Sequence, residues 1–206
     1  MRSFTPPGAP GRCPRCLLLS DYCLCELLGA PQPSQPQILI VRHKWEAFKS
    51  TGTARVAALS LSNLSILDMA AENPDPVREQ LRLVEDAWLL YPGHGEASVE
   101  RTRPKTLVVL DGTWRQTRKM LRRLPELARF PRFSISPASD GAARDRLREP
   151  PRPGALSTLE SIAEALGQLD SPAAGQRLLA LHEQFVARTR HSRGQRYESN
   201  GGPQES

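Results

Sequence analysis

Four cysteines near the start of the chain have the type and spacing of a metal site. They follow the pattern C-x2-C-x6-C-x-C, and the chain contains no other cysteine: Cys13, Cys16, Cys23 and Cys25. Four thiolates suit zinc in a tetrahedral structural site. An iron–sulfur cluster and a pair of disulfides are the alternatives, although disulfides are rare in intracellular chains. The spacing favours structural zinc, in a knuckle that either folds the N-terminus or holds Arg12 and Arg15 near RNA.

A second chemical centre is predicted at Asp111, which directly follows the apolar, β-branched segment 106–110. That segment predicts a strand, and ligands in open α/β sheets bind at the carboxyl ends of strands. Gly112 allows a sharp turn, and Thr113 with Gln116 fits a capping box that opens a helix. Because Thr113 already caps the helix, the acidic Asp111 needs another role or a path to solvent.

Two further loops are predicted at the same edge of the sheet. Tyr91-Pro92-Gly93 follows an apolar segment, and Ser157 with Glu160 fits a second capping box. Free N–H groups at helix starts favour an anionic ligand group. The three loops together predict one small-molecule pocket, although ordinary helix capping would explain any one of them alone.

Cations surround these loops. The helix predicted after Trp114 carries several cations on one face, with Glu126 as the nearest acid, which suits a phosphate backbone better than an internally balanced, solvated face. The segment 42–49 mixes cations with two aromatics, which suits phosphate contact and base stacking; for His43 a structural role is equally open. The predicted RNA-binding residues are Arg42, His43, Lys44, Lys49, Arg115, Arg118, Lys119 and Arg122.

Composition agrees with an anionic partner. The 206 residues suffice for one domain and carry a net charge of +6, dominated by Arg. This excess favours nucleic acid, unless it reflects an Arg-rich proteome. No apolar run is long enough to span a bilayer, and no apolar stretch follows Arg2, so we expect a cytoplasmic protein that does not associate with membranes.

The elements that must position these residues alternate along the chain. Strands are predicted at 38–41, 65–67, 87–91, 106–110 and 132–135, and helices at 53–61, 75–84, 114–124, 157–169 and from Pro172 onward. The alternation predicts an α/β fold with a mostly parallel sheet and helices on both faces. We expect disorder at 1–12, the zinc-binding knuckle at 13–28, a linker at 29–36, the catalytic domain at 37–189 and a disordered tail at 190–206.

Taken together, these segments resemble the DTW-domain family, the tRNA-uridine aminocarboxypropyltransferases. The family is named for its Asp-x-Thr-Trp motif, which stands here as Asp111-Gly112-Thr113-Trp114. Other segments match in the family's order across about residues 13–188: the Cys-x-x-Cys and Cys-x-Cys pairs, Arg42-His43 with Glu46, Leu90-Tyr91-Pro92-Gly93, and Leu156-Ser157-Thr158-Leu159-Glu160. The family often has Asn-Thr where this chain has Gly52-Thr53.

The resemblance implies a fold related to the SPOUT methyltransferases, with a C-terminal knot. It implies transfer of the 3-amino-3-carboxypropyl group of S-adenosylmethionine (SAM) to the imino nitrogen of a tRNA uridine, with release of 5′-methylthioadenosine. Asp111 would be the catalytic base or a group that positions it. The residues expected to bind SAM are Leu90, Tyr91, Pro92, Gly93, Leu110, Gly112, Thr113, Trp114, Leu156, Ser157, Thr158 and Glu160.

Two other functions fit the same residues. One is a SPOUT-type RNA methyltransferase, and the other is a non-enzymatic RNA-binding protein with a zinc knuckle. SPOUT relatives often dimerise, but the sequence leaves monomer and dimer open.

Overall fold

A parallel five-stranded sheet forms the centre of the molecule. The computed structural model describes residues 8–70, 72–92, 103–135, 147 and 155–194. The strand order is β2-β1-β4-β3-β5, and every pairing between the five strands is parallel. The strands are β1 Gln37–His43, β2 Leu64–Met69, β3 Ala87–Leu90, β4 Thr106–Asp111 and β5 Arg132–Phe133.

Helices cover both faces of this sheet. They are α1 Thr53–Ser60, α2 Asp75–Leu83, α3 Trp114–Arg123, α4 Thr158–Leu169 and α5 Pro172–His191. Ile38 and Ile40 point into a core shared with α1, α4 and α5. Leu39 and Val41 point into the opposite core, shared with α2 and α3. The strands are apolar on both sides because each side is buried, as parallel sheets require.

Helices α4 and α5 approach each other unusually closely at one point. A Cβ added at Gly175 would lie 2.7 Å from the carbonyl oxygen of Ala163 and 3.0 Å from the Cα of Gly167. Only a glycine fits there, so this position fixes the spacing of the two helices behind the sheet.

The cysteine-rich knuckle packs against the far end of the chain. Leu18 and Leu24 are buried in the same core as α4 and α5. The guanidinium of Arg188 on α5 donates to the carbonyl oxygen of Cys23 at 2.6 Å. The rings of Tyr22 and His191 lie 5.4 Å apart. The knuckle therefore extends the core of the sheet domain.

The structure confirms the predicted α/β architecture and corrects several bounds. Strand β2 is longer than predicted at 65–67, and β5 ends at Phe133 instead of residue 135. Among the described residues, strand β5 pairs only with β3 at the edge of the sheet, where its last two predicted residues turn away to line a cavity. Helix α5 continues to His191, two residues into the segment for which a disordered tail is expected, because Thr189 near its end is buried.

Three expectations fall on parts of the chain that the structure does not describe. Residues 1–7 and 195–206, expected to be disordered, lie outside the described residues, as does Gly93. Most of the connection between β5 and α4 also lies outside them, so the C-terminal knot stays a prediction. Within the described chain, no helix combines the length and apolar character needed to cross a bilayer.

Candidate active site

A cavity of about 230 Å³ opens at the carboxyl ends of β3, β4 and β5. Parallel strands present their carboxyl ends at one edge, so the loops that follow them meet there. Eight of the residues expected to bind SAM line the cavity: Leu90, Tyr91, Pro92, Leu110, Gly112, Trp114, Leu156 and Thr158. The wall is largely apolar and aromatic, with polar groups from the starts of α3 and α4.

Sequence reasoning missed seven further lining residues: Val109, Thr117, Phe133, Ser134, Ile135, Ala155 and Ser161. Thr117 and Ser161 lie three positions after Trp114 and Thr158, so helical spacing places them on the same faces and could have identified them. Ser134 and Ile135 directly follow β5, and the strand-end rule applies to them as well.

Three more of the residues expected to bind SAM build the helix starts: Thr113, Ser157 and Glu160. The Thr113 hydroxyl accepts from the Gln116 N–H at 3.3 Å, and the Gln116 side chain accepts from the Thr113 N–H at 2.6 Å. Ser157 and Glu160 form the same reciprocal pair, at 3.3 Å and 2.7 Å. Both predicted capping boxes are confirmed. These side chains shape the cavity's loops without lining it.

Asp111 is the last residue of β4 and is only 7% exposed. Its Oδ1 accepts a hydrogen bond of 2.6 Å from the Thr158 hydroxyl. Its Oδ2 is buried and has no hydrogen-bond partner within the described residues. Thr158 lines the cavity, whereas Asp111 lies directly behind it. A buried polar atom without a partner is uncommon in folded proteins, which marks this strand end as a candidate functional position.

The environment of Asp111 makes its protonation responsive near neutral pH. Burial raises the pKa of Asp111 to about 6, against the opposing effect of the Thr158 hydrogen bond. The charge of Glu46 adds to the rise, and the charges of Arg42 and Lys49 oppose it. A carboxyl group with this pKa is mostly ionised at pH 7 and is still able to take up a proton.

Two of the predicted RNA-binding cations belong to this buried charge cluster. Arg42 is in register with Asp111 across β1 and β4, and its guanidinium binds Asp68 through hydrogen bonds of 2.6 and 2.9 Å. Lys49 forms an ion pair with Glu46, and both side chains are largely buried. The structure thus brings Arg42 and Lys49 to Asp111, away from the open surface.

His43 connects the turn after β1 to α3. Its Nδ1 accepts from the Trp45 N–H at 3.4 Å and faces the Gln116 amide nitrogen at 3.3 Å. Burial lowers the pKa of His43, and Lys119 and Lys49 lower it further, while Glu46 acts in the opposite direction. A ring nitrogen that accepts a hydrogen bond is unprotonated, so the contacts and the pKa both favour the neutral imidazole.

The other predicted cations form an open surface beside the cavity. Arg115, Arg118, Lys119 and Arg122 are exposed on α3, and none of them has an ion-pair partner within the described chain. These four residues are the cationic face of α3. Lys44 is also exposed but pairs with Glu72 at 2.7 Å.

An aromatic rim joins the cationic face of α3 to the cavity. The rings of Trp114 and Tyr91 meet edge to face at 6.1 Å, and the guanidinium of Arg132 lies 5.4 Å from the Tyr91 ring centre. Arg132 was not predicted as a site residue, and the only sequence signal at this position is a weakly predicted strand.

The four cysteines fit a single tetrahedral ion. All four Sγ atoms lie within 4.8 Å of one another, with 3.7 Å between those of Cys13 and Cys25 and 3.9 Å between those of Cys16 and Cys23. A Zn–S bond of about 2.3 Å requires a tetrahedral edge of about 3.8 Å. These separations are too long for disulfide bonds and too short for sulfurs bound to separate irons of a cluster.

The fold and site define an α/β protein with a cavity at the carboxyl edge of a parallel sheet and four cysteines close enough together to hold a metal ion. The DTW domain family model matches residues 11–190, and the chain belongs to that family, as its sequence motifs indicate. The chain is also similar to tRNA-uridine aminocarboxypropyltransferase 2 of Drosophila melanogaster, with 29% identity over 179 residues, 82% of this chain and 70% of that protein. No solved structure matches it significantly.

Proposed function

We propose that the protein transfers the 3-amino-3-carboxypropyl group of SAM to the imino nitrogen of a tRNA uridine. The observation that carries the proposal is the position of Asp111. This residue of the family's motif presents a buried, unpartnered carboxylate oxygen directly behind the cavity. Family membership and the name of the similar Drosophila protein support the same reaction class.

The wall of the cavity suits the donor. The rings of Tyr91, Trp114 and Phe133 offer faces and edges for a purine, and the starts of α3 and α4 offer N–H groups for a carboxylate. SAM supplies a sulfonium that activates each carbon bonded to it, so the bound pose decides which group is transferred. In the proposed reaction the uridine nitrogen loses its proton and bonds to the aminocarboxypropyl carbon. The carbon–sulfur bond breaks, and 5′-methylthioadenosine leaves.

We assign the uridine proton to Oδ2 of Asp111. Oδ1 is occupied by the Thr158 hydroxyl, which leaves Oδ2 to accept. With a pKa of about 6, Asp111 is ionised at neutral pH and can act as the base. In the alternative role, Asp111 holds Thr158 in place, and the Thr158 hydroxyl contacts the substrate.

The exposed cations are assigned to tRNA. We propose that the cationic face of α3 and Lys44 bind phosphates. His43 anchors the turn that carries Lys44 and contacts α3 through Gln116. The charges of Arg42 and Lys49 lower the pKa of Asp111. We further propose that the cysteine cluster binds zinc and that the C-terminal half contains a SPOUT-like knot. We also propose a cytoplasmic location.

Mass spectrometry of tRNA nucleosides tests this proposal. Incubation of wild-type protein with SAM and an unmodified tRNA transcript should yield aminocarboxypropyluridine. Asp111→Asn should bind the same tRNA and lose transfer, because the amide cannot take up the proton. Asp75→Asn, which changes an exposed carboxylate on α2, should retain activity. A methylated nucleoside would support the methyltransferase alternative, and full transfer by Asp111→Asn would refute the role of Asp111.

A further inference from the structure

Two of the three tryptophans are exposed on adjacent turns of this aromatic-poor chain. Trp88 is buried in the core, whereas Trp45 is 59% exposed and Trp114 is 37% exposed. Trp45 follows β1 and Trp114 follows β4, and these strands are neighbours in the sheet. A single exposed indole needs no partner, but here both rings lie at the edge of the sheet that carries the cavity.

The turn that carries Trp45 is held in place. It is the short 3-10 turn Lys44–Glu46, and the Trp45 N–H donates to Nδ1 of His43. His43 is buried and faces Gln116 on α3. The exposure of Trp45 is therefore a property of an anchored turn that is joined to α3.

Helix α3 connects the two tryptophans, because it begins at Trp114 and contacts the turn that carries Trp45. Gln116 contacts His43, and Lys119 lies close enough to His43 to lower its pKa, so this side of α3 faces the Trp45 turn. On the other side, Trp114 contacts Tyr91 at the cavity rim. The cationic face of α3 therefore belongs to a helix that contacts the cavity rim through Trp114 and the Trp45 turn through Gln116.

The acids next to Trp45 are paired with lysines. Glu46 is bound by Lys49, and Glu72 is bound by Lys44. Neither acid therefore opposes the cationic face of α3 as a free negative charge.

We propose that Trp45 is a base-stacking residue, which holds an unpaired RNA base near the target uridine while the cationic face of α3 binds the phosphates between them. The inference rests on the proposed function, because it takes tRNA as the substrate. Indole rings stack on any base, and cations track the backbone, which is the combination that single-stranded RNA requires.

The test measures the affinity of an unmodified tRNA transcript at several salt concentrations. Trp45→Ala should raise Kd by about 5- to 100-fold, and Trp45→Phe should recover most of the affinity. The slope of log Kd against log salt should stay unchanged in Trp45→Ala and should fall by about one in Lys119→Ala. Leu83→Ala, which truncates an exposed apolar side chain on α2, should bind tRNA as the wild type does.

Kinetics separates stacking from a general structural effect. Trp45→Ala should raise the KM for tRNA and leave the KM for SAM unchanged. Equal tRNA affinity of wild type and Trp45→Ala, or an equal loss in Trp45→Phe and Trp45→Ala, would overturn the inference. Loss of self-association with unchanged tRNA affinity would also overturn it, because Trp45 would then belong to a protein interface.

The outcomes distinguish this inference from the proposed function. Normal transfer by the wild type, with no effect of Trp45→Ala on tRNA binding, overturns only the stacking role. A weakened tRNA complex of Trp45→Ala, without transfer by the wild type, overturns only the reaction.

Discussion

Replacement of Thr158 by valine changes the ionisation of Asp111 while keeping the shape of the side chain. The Thr158 hydroxyl makes the one hydrogen bond of the Asp111 side chain within the described residues, at 2.6 Å. A hydrogen bond to a charged group contributes about 1.5–3 kcal/mol. Since 1.36 kcal/mol corresponds to one pKa unit, Thr158→Val should raise the pKa of Asp111 from about 6 to roughly 7–8.

The assay is the pH dependence of kcat/KM for transfer to tRNA. If ionised Asp111 is the base, the wild-type rate falls below about pH 6, where Asp111 becomes protonated. In Thr158→Val this decline should begin at higher pH. The variant should be about 2- to 10-fold slower than wild type at pH 7 and should nearly recover at pH 9.

Thr158→Ser provides the matched control, because it keeps the hydroxyl and should retain the wild-type profile. Superimposable profiles of Thr158→Val and wild type would refute the assignment of the rate-controlling ionisation to Asp111. An equal loss at every pH would instead show that the hydroxyl contacts the substrate.

Four further variants test stability. Folding raises the pKa of Asp111, so the folded chain holds this proton more tightly than the unfolded chain does. The wild type should therefore lose stability as the pH rises through about 6. In urea titrations, its free energy of unfolding relative to that of Asp111→Asn should fall by about 2 kcal/mol between about pH 4.5 and about pH 7. Gly175→Ala should lower the free energy of unfolding by about 1–3 kcal/mol, because the added Cβ meets the carbonyl oxygen of Ala163. Its matched control is Gly167→Ala, whose Cβ makes only ordinary contacts; this variant should raise the free energy of unfolding by about 0.5–1 kcal/mol. Cys16→Ser should lose one metal ion per chain and lower Tm by at least about 5 °C, because the knuckle buries Leu18 and Leu24; an unchanged Tm despite metal loss would contradict a structural role.

Local sequence patterns were sufficient to predict the elements and the helix starts. The β-branched segment before Asp111 predicts β4, and the Thr113–Gln116 spacing predicts the capping box that the structure contains. These features depend on residues three or four positions apart, which the sequence presents directly. The strand-end rule then places the loops of β3 and β4 at one edge.

Contacts between distant segments could not be predicted in this way. The carboxylate that binds Arg42 belongs to Asp68, which lies opposite only because β1 pairs with β2 in register. The hydroxyl that binds Asp111 comes from Thr158, 47 residues further along the chain. Both partners depend on strand order and helix placement. The sequence therefore indicated that Arg42 is a cation at a strand end but not that it is already paired.

The identity of the nucleoside by-product tests the central claim most directly. Purified protein is incubated with SAM and an unmodified tRNA transcript, and the small-molecule product is identified and counted by liquid chromatography and mass spectrometry. We expect one 5′-methylthioadenosine for each modified uridine, and none from Asp111→Asn. S-adenosylhomocysteine with a methylated RNA, or bound tRNA without any by-product, would contradict the proposed reaction.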